Sequence, residues 1–126
     1  MTVVREVMST DLITVAPSAM IIQAVGAMSK AGVGSVLVLE DGALMGILTE
    51  RDVLRAFDQM HADPARVSPI SKGMTRDPQT IDADATVGEA MDRMLEGGFR
   101  HLPVMDGGAL VGIVSMRDLA RSISKS

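Results

Sequence analysis

Laid against itself, the chain superimposes Met8–Phe57 on Met74–Ile123 without a gap. Identical pairs run through the whole overlap. They are Met8/Met74, Asp11/Asp77, Thr14/Thr80, Ala19/Ala85, Ala24/Ala90, Met28/Met94, Gly32/Gly98 and Val38/Val104. Gly42/Gly108, Ala43/Ala109, Leu44/Leu110, Gly46/Gly112, Ile47/Ile113, Arg51/Arg117, Asp52/Asp118 and Arg55/Arg121 complete the set. Several other pairs, such as Ile21/Val87, Val36/Leu102 and Leu48/Val114, exchange one apolar residue for another. A unit this short buries its own apolar face poorly, so two copies are expected to pack with pseudo-two-fold symmetry. Such packing leaves a pair of equivalent clefts between the copies, the expected place for function. The copies are read as 1–58 and 68–126, joined by a linker at 59–67 that contains Asp63-Pro64.

Within each copy the periodicity changes in the same order. Thr14-Val15 and Thr80-Ile81 are short extended pieces bounded by turn residues. A helix follows each. Thr86-Val87-Gly88-Glu89 reads as a capping box, and Val87, Ala90, Met91, Met94 and Leu95 form the apolar stripe, stopped by Gly97-Gly98. Ile21, Ile22, Ala24, Val25 and Met28 repeat that stripe in the first copy, up to Gly32. Apolar strands are expected over Ser35–Leu39 and His101–Met105, then over Leu44–Leu48 and Leu110–Val114. Glu40-Asp41-Gly42 and Asp106-Gly107-Gly108 supply the tight turns between them. Final helices are predicted at Glu50–Phe57 and Met116–Ser122, and Ser68-Pro69 as N-cap and N1 of a short helix, with Thr2-Val3 its equivalent. Each copy is therefore β-α-β-β-α, an α/β (α+β) layer and not a doubly wound sheet.

Composition removes several function classes. With no Trp or Tyr, two Phe and eleven Met, the core is aliphatic and methionine-rich, and a site that stacks a sugar on aromatic rings is disfavoured. A net charge of −4 argues against a nucleic-acid surface, which needs a basic stripe. Without Cys there is no disulfide, thiolate catalysis or thiolate metal site. The start Met1-Thr2-Val3-Val4-Arg5-Glu6 has no signal-peptide pattern, and no apolar stretch approaches the roughly 18 residues of a membrane span. The cytoplasm is the expected location, with no membrane partner.

Gly46-Ile47-Leu48-Thr49-Glu50-Arg51-Asp52 recurs as Gly112-Ile113-Val114-Ser115-Met116-Arg117-Asp118. A hydroxyl residue followed three positions later by Asp is a variant capping box at a helix start, and capping alone accounts for one instance. The same groups also suit a ligand. A carboxylate accepts hydrogen bonds from both hydroxyls of a ribose diol, and a hydroxyl beside free helix amides holds phosphate oxygens. Both readings stand on the sequence: the residues can cap when empty and bind when occupied.

These strand–glycine–hydroxyl–Asp segments, the Gly98–Asp106 run Gly-Phe-Arg-His-Leu-Pro-Val-Met-Asp, and the openings Val-Met-Ser-Thr-Asp and Gly-Met-Thr-Arg-Asp resemble tandem cystathionine β-synthase-type (CBS) domains. The resemblance runs from Val3 to about Ser122 and leaves no effector domain over. It implies a non-enzymatic regulatory module that binds AMP, ADP, ATP or S-adenosylmethionine between the repeats. In one cleft it implies Ser115 and Asp118 with Thr14, Val15 and Ala19 framing the adenine, and Arg100 and His101 near the phosphates. In the other it implies Thr49 and Asp52 with Thr80, Ile81 and Ala85. There the counterparts of Arg100 and His101 are Gly34 and Ser35, so the Ser115/Asp118 cleft is expected to be the better nucleotide site. His101 also reads as an ordinary polar strand residue, and His61 as a solvated linker residue. Arg51, Arg55, Arg117 and Arg121 are read as partners of nearby carboxylates.

No cofactor is required on this reading; magnesium would accompany only ATP, and no metal-ligand spacing is present. The resemblance implies a homodimer that signals to a separate effector protein. Ile22, Val25, Val87, Met91 and Met94 read equally as dimer interface or internal core. The competing function is a dimerising adaptor with vestigial clefts. A small enzyme is disfavoured, since no nucleophile–base spacing and no phosphate-cradling Gly-x-x-x-x-Gly-Lys loop occurs.

Overall fold

The structure is a computed structural model describing residues 1–59 and 68–124. The Asp63-Pro64 segment and His61 lie outside the described residues. In chain order come α1 (Val4–Val7), β1 (Thr14–Val15), α2 (Ile21–Ala31), β2 (Ser35–Glu40), β3 (Ala43–Thr49) and α3 (Glu50–Gln59). A 3-10 turn (Ile70–Lys72) follows, then β4 (Thr75–Arg76), β5 (Ile81–Asp82), α4 (Val87–Gly97), β6 (His101–Asp106), β7 (Ala109–Ser115) and α5 (Met116–Ser124). Both copies carry the expected β-α-β-β-α order.

One sheet has the order β1-β2-β3-β4 and the other β5-β6-β7. In each copy the first strand runs parallel to the second, because a helix carries the chain between them, and the next two form an antiparallel hairpin. Asp41 and Gly42 (φ 51° and 80°), like Gly107 and Gly108 (57° and 86°), place left-handed backbone at both central hairpin positions. That is the primed turn whose twist matches the strands. Gly32 and Gly98 end α2 and α4 in the same left-handed region, at φ 68° and 71°.

The compact units do not coincide with the sequence copies. One consists of Met1–Leu12 with Gln79–Ser126, the other of Ile13–Pro78. Val4, fully buried, joins Ile81, Ala90, Met94, Leu102, Val104, Val114 and Leu119 in the first core. Ile70, its repeat counterpart, joins Ile21, Ala24, Met28, Val36, Val38 and Leu48 in the second. Each opening segment is stitched to the start of the other copy's first helix. Val4 N–H donates to Ala85 C=O at 2.8 Å, and Ile70 N–H to Ala19 C=O at 2.7 Å. Val87 N–H donates to Thr2 C=O at 3.1 Å, and Ile21 N–H to Ser68 C=O at 2.9 Å. Periodicity cannot reveal this exchange, since both copies offer the same partners.

Several local expectations need correction. Pro69 is the N-cap residue of the short turn, not N1, and the turn is 3-10. The strand expected at Thr80-Ile81 is Ile81–Asp82. Leu95 is 67% exposed, while Met94 is buried in the core and so is unavailable as an interface residue. Val25, Val87 and Met91 pack partly against the cores, and Ile22 is 41% exposed. Of the capping box expected at Thr86–Glu89, only the hydroxyl arm forms among the described residues. Thr86 Oγ1 accepts from Glu89 N–H at 3.1 Å, whereas in the first copy Gln23 Oε1 accepts from Met20 N–H at 2.8 Å.

On the surface Arg5 spans Asp106 (3.0 Å) and Asp84 (3.2 Å). Its hydrogen bonds to Asp106, then to Asp84, raise its pKa above the usual guanidinium value. A raised basic pKa stabilises the fold below the ordinary value and ceases to do so only above it, so this pair adds no pH dependence near neutrality.

The repeated glycines mark close crossings. A Cβ on Gly112 would lie 2.9 Å from the Ser9 carbonyl oxygen and 2.6 Å from Met8 Sδ; on Gly46, 2.7 Å from the Thr75 carbonyl oxygen and 2.8 Å from Met74 Sδ. Gly112→Ala must push the Met8–Ser9 backbone off β7. It is expected to destabilise by about 1–3 kcal/mol, read as a lower urea midpoint at unchanged m.

Candidate functional site

In both copies a strand runs into a helix without an intervening loop: β3 ends at Thr49 where α3 begins at Glu50, and β7 ends at Ser115 where α5 begins at Met116. The hydroxyl residue sits at the junction and Asp lies in the first helical turn, as the capping reading requires. Asp118 Oδ2 accepts from Ser115 N–H at 2.8 Å and Ser115 Oγ at 2.9 Å, while Asp118 N–H donates to Ser115 Oγ at 3.2 Å. Asp52 Oδ2 accepts from Thr49 N–H at 2.9 Å and Thr49 Oγ1 at 3.0 Å, and Asp52 N–H donates to Thr49 Oγ1 at 3.2 Å. The caps superimpose bond for bond.

They differ at the other carboxylate oxygen. Asp52 Oδ1 accepts from Thr75 Oγ1 at 3.2 Å and lies 3.6 Å from an Arg55 guanidinium nitrogen. Asp52 is only 4% exposed. Asp118 is half-buried, and its Oδ1 has no hydrogen-bond or ion-pair partner among the described residues. The pairing of Arg55 with a nearby carboxylate follows the sequence reading. Thr75 was missed there; the available signal was Gly46, whose missing Cβ lets β4 lie against β3.

Arg100 and His101 belong to the same unit as Ser115 and Asp118. His101 stands opposite Ser115 in the β6–β7 register, and Arg100 C=O accepts from Met116 N–H at 2.9 Å. Arg100 is exposed and His101 half-buried. At the matching place in the other unit Ser35 stands opposite Thr49, and Gly34 C=O accepts from Glu50 N–H at 3.1 Å. β2, the strand paired there, carries no basic side chain.

The remaining predicted residues divide between the units. Thr14, exposed, and Val15, half-buried, form β1 beside Leu37 and Val38, with Ala19 in the turn that follows, all in the unit of Thr49 and Asp52. Thr80, Ile81 and Ala85 lie in the unit of Ser115 and Asp118. The Thr80 carbonyl accepts from the Arg93 guanidinium. Ile81 is 2% exposed and belongs to the core. Among the described residues no group of three or more His, Cys, Asp or Glu side chains is placed to hold a metal, and no helix is long and apolar enough to cross a membrane.

The family described as CBS domain matches residues 4–59 and 67–125. An uncharacterised 17.7 kDa protein of Acidianus ambivalens is 39% identical over 124 residues, covering 97% of this chain and 73% of that protein. The meiotically up-regulated gene 70 protein of Schizosaccharomyces pombe is 37% identical over 105 residues, but this chain spans only 14% of its length. Among solved structures, the CBS-domain containing protein ATU1752 from Agrobacterium tumefaciens superimposes with a TM-score of 0.91 at 31% identity, covering 97% of this chain and 99% of that one. The CBS domain pair of protein MJ0100, solved with 5'-methylthioadenosine and S-adenosyl-L-methionine, matches with a TM-score of 0.88 at 26% identity, covering 98% and 97%. CBSX2, solved with AMP, shares the fold with a TM-score of 0.84 at 24% identity, covering 99% and 98%.

Proposed function

This chain belongs to the CBS domain family, and on that premise we propose that it is a non-catalytic module that binds an adenosine-containing ligand at the Ser115–Asp118 junction. One observation carries the reading: the cap there spends a single carboxylate oxygen on the helix start and leaves Asp118 Oδ1 without a partner among the described residues. A ribose diol supplies the two donors such a carboxylate can accept. Arg100 and His101, on the adjoining strand end, are the basic side chains beside which a phosphate would lie; a guanidinium stays charged and matches phosphate geometry. The likeness to MJ0100, whose bound ligands both contain adenosine, supports the same class.

On this reading AMP, ADP or ATP is the ligand, with magnesium accompanying ATP, and S-adenosylmethionine is the alternative that shares the diol. The signal passes to a separate effector protein through a homodimer, for which exposed Leu54 and Phe57 on α3 offer apolar surface. Thermal unfolding with AMP, ATP and S-adenosylmethionine tests the reading. At a hundredfold excess over Kd, binding contributes about 2.7 kcal/mol, and the midpoint is expected to rise by several degrees. No shift with any of them would favour the adaptor.

A further inference from the structure

The two hydroxyl–Asp junctions are identical in their caps and unlike in what reaches the second carboxylate oxygen. We infer that Thr75 and Arg55 act as a built-in occupant of Asp52, so that the chain takes one adenosine ligand and not two. The inference rests on the adenosine reading above. It concerns residues that reading does not use.

A diol needs acceptor positions on the carboxylate. In both junctions Oδ2 is committed to the hydroxyl residue and its amide. The two carboxylates differ at Oδ1. At Asp52 it already holds the Thr75 hydroxyl, and the positive charge of Arg55 lies 3.6 Å away. An incoming diol must displace a donor that the fold holds in place at no cost in association entropy. Thr75 is kept there by β4, which pairs Thr75 with Ile47 and Arg76 with Gly46. Its β-branch further restricts the hydroxyl's directions.

Ser9 is the repeat counterpart of Thr75, and it lies across from Ile113 as Thr75 lies across from Ile47. The two backbones are held alike: Ser9 N–H donates to Ile113 C=O at 2.8 Å and Ile113 N–H to Ser9 C=O at 3.0 Å. Yet no bond from Ser9 Oγ to Asp118 is formed, and Arg121, the counterpart of Arg55, makes no ion pair with Asp118 among the described residues. Among the described residues, the duplication thus yields one self-satisfied carboxylate and one open one.

Isothermal titration with AMP and with S-adenosylmethionine tests this on the full chain. The wild type is expected to bind one equivalent, lost in Asp118→Ala and retained in Asp52→Ala. Thr75→Val keeps the β-branched shape on an exposed strand residue but removes the donor. It is expected to strengthen binding at Asp52 by about tenfold and bring the stoichiometry to two, while Thr75→Ser, which keeps a hydroxyl, stays nearer one. Adding Arg55→Ala to Thr75→Val should strengthen the second site further. Two equivalents in the wild type, or one in both Thr75→Val and the double variant, would overturn the inference and leave adenosine binding intact. Absence of binding by every form, wild type included, would instead remove the adenosine reading and this inference with it.

Discussion

Deleting Met1–Leu12 is expected to unfold the far half of the chain, residues 79–124, before it affects residues 13–59. The deleted stretch carries Val4, fully buried in the core built from β5, α4, β6, β7 and α5, and Val7 and Met8 at its edge. It also carries the Val4 and Arg5 amides that donate to Ala85 and Ala83, the Thr2 carbonyl that accepts from Val87, and the paired Ser9 backbone on Ile113. Burying the Val4 side chain alone is worth about 1.5–3 kcal/mol. With the partly buried neighbours and the orphaned backbone groups added, the loss approaches the roughly 5–15 kcal/mol that holds a whole domain folded. Hydrogen exchange followed by peptide mass spectrometry reads the result directly. Protection should collapse over β6, β7 and α5 and persist over β2, β3 and α2. The opposite pattern would mean that the opening segment serves its own sequence copy. Val4→Ala gives a milder version, at about the cost of the one side chain.

The second large effect concerns ligand. Asp118→Ala is expected to remove most of the midpoint shift produced by an adenosine ligand. A carboxylate accepting both ribose hydroxyls makes two charge-assisted hydrogen bonds, each contributing about 1.5 kcal/mol net at the low end. Losing both weakens binding by about a hundredfold, which leaves about 0.4 of the roughly 2.7 kcal/mol available at a hundredfold excess. The same substitution also removes the acceptor for Ser115 N–H and Oγ, a cap whose loss costs about 1 kcal/mol without any ligand. Each variant must therefore be compared with its own unliganded form, so that the lost cap cancels. Asp52→Ala loses an equivalent cap and serves as the control: its ligand-induced shift should remain. A shift that survives Asp118→Ala undiminished would place the ligand elsewhere.

Much of this molecule was legible before any coordinate. The ungapped repeat, the glycine stops at Gly32 and Gly98, and the turn residues Asp41-Gly42 and Gly107-Gly108 are local signals. Each is decided by backbone sterics or by side chains a few positions apart, and each is where the periodicity put it. The hydroxyl–Asp caps are of the same kind, since Ser115 and Asp118 need only one helical turn to meet. The pairing of His101 with Ser115 follows almost as directly from the hairpin register.

What the linear chain left open are choices between equivalent partners. Val4 and Ile70 are apolar repeat counterparts, so the pattern does not say which core each enters; packing places each with the other copy. Leu95 and Met94 are neighbours on one predicted apolar stripe, yet one is exposed and the other buried. Thr75 and Ser9 occupy the same place in the repeat, and only one of them reaches its carboxylate. The halves share their hydroxyl–Asp caps and hairpin turns because those are local; where Val4 and Ile70 change sides and Thr75 parts from Ser9, the contacts join residues far apart in sequence, and those exist only once the chain has folded.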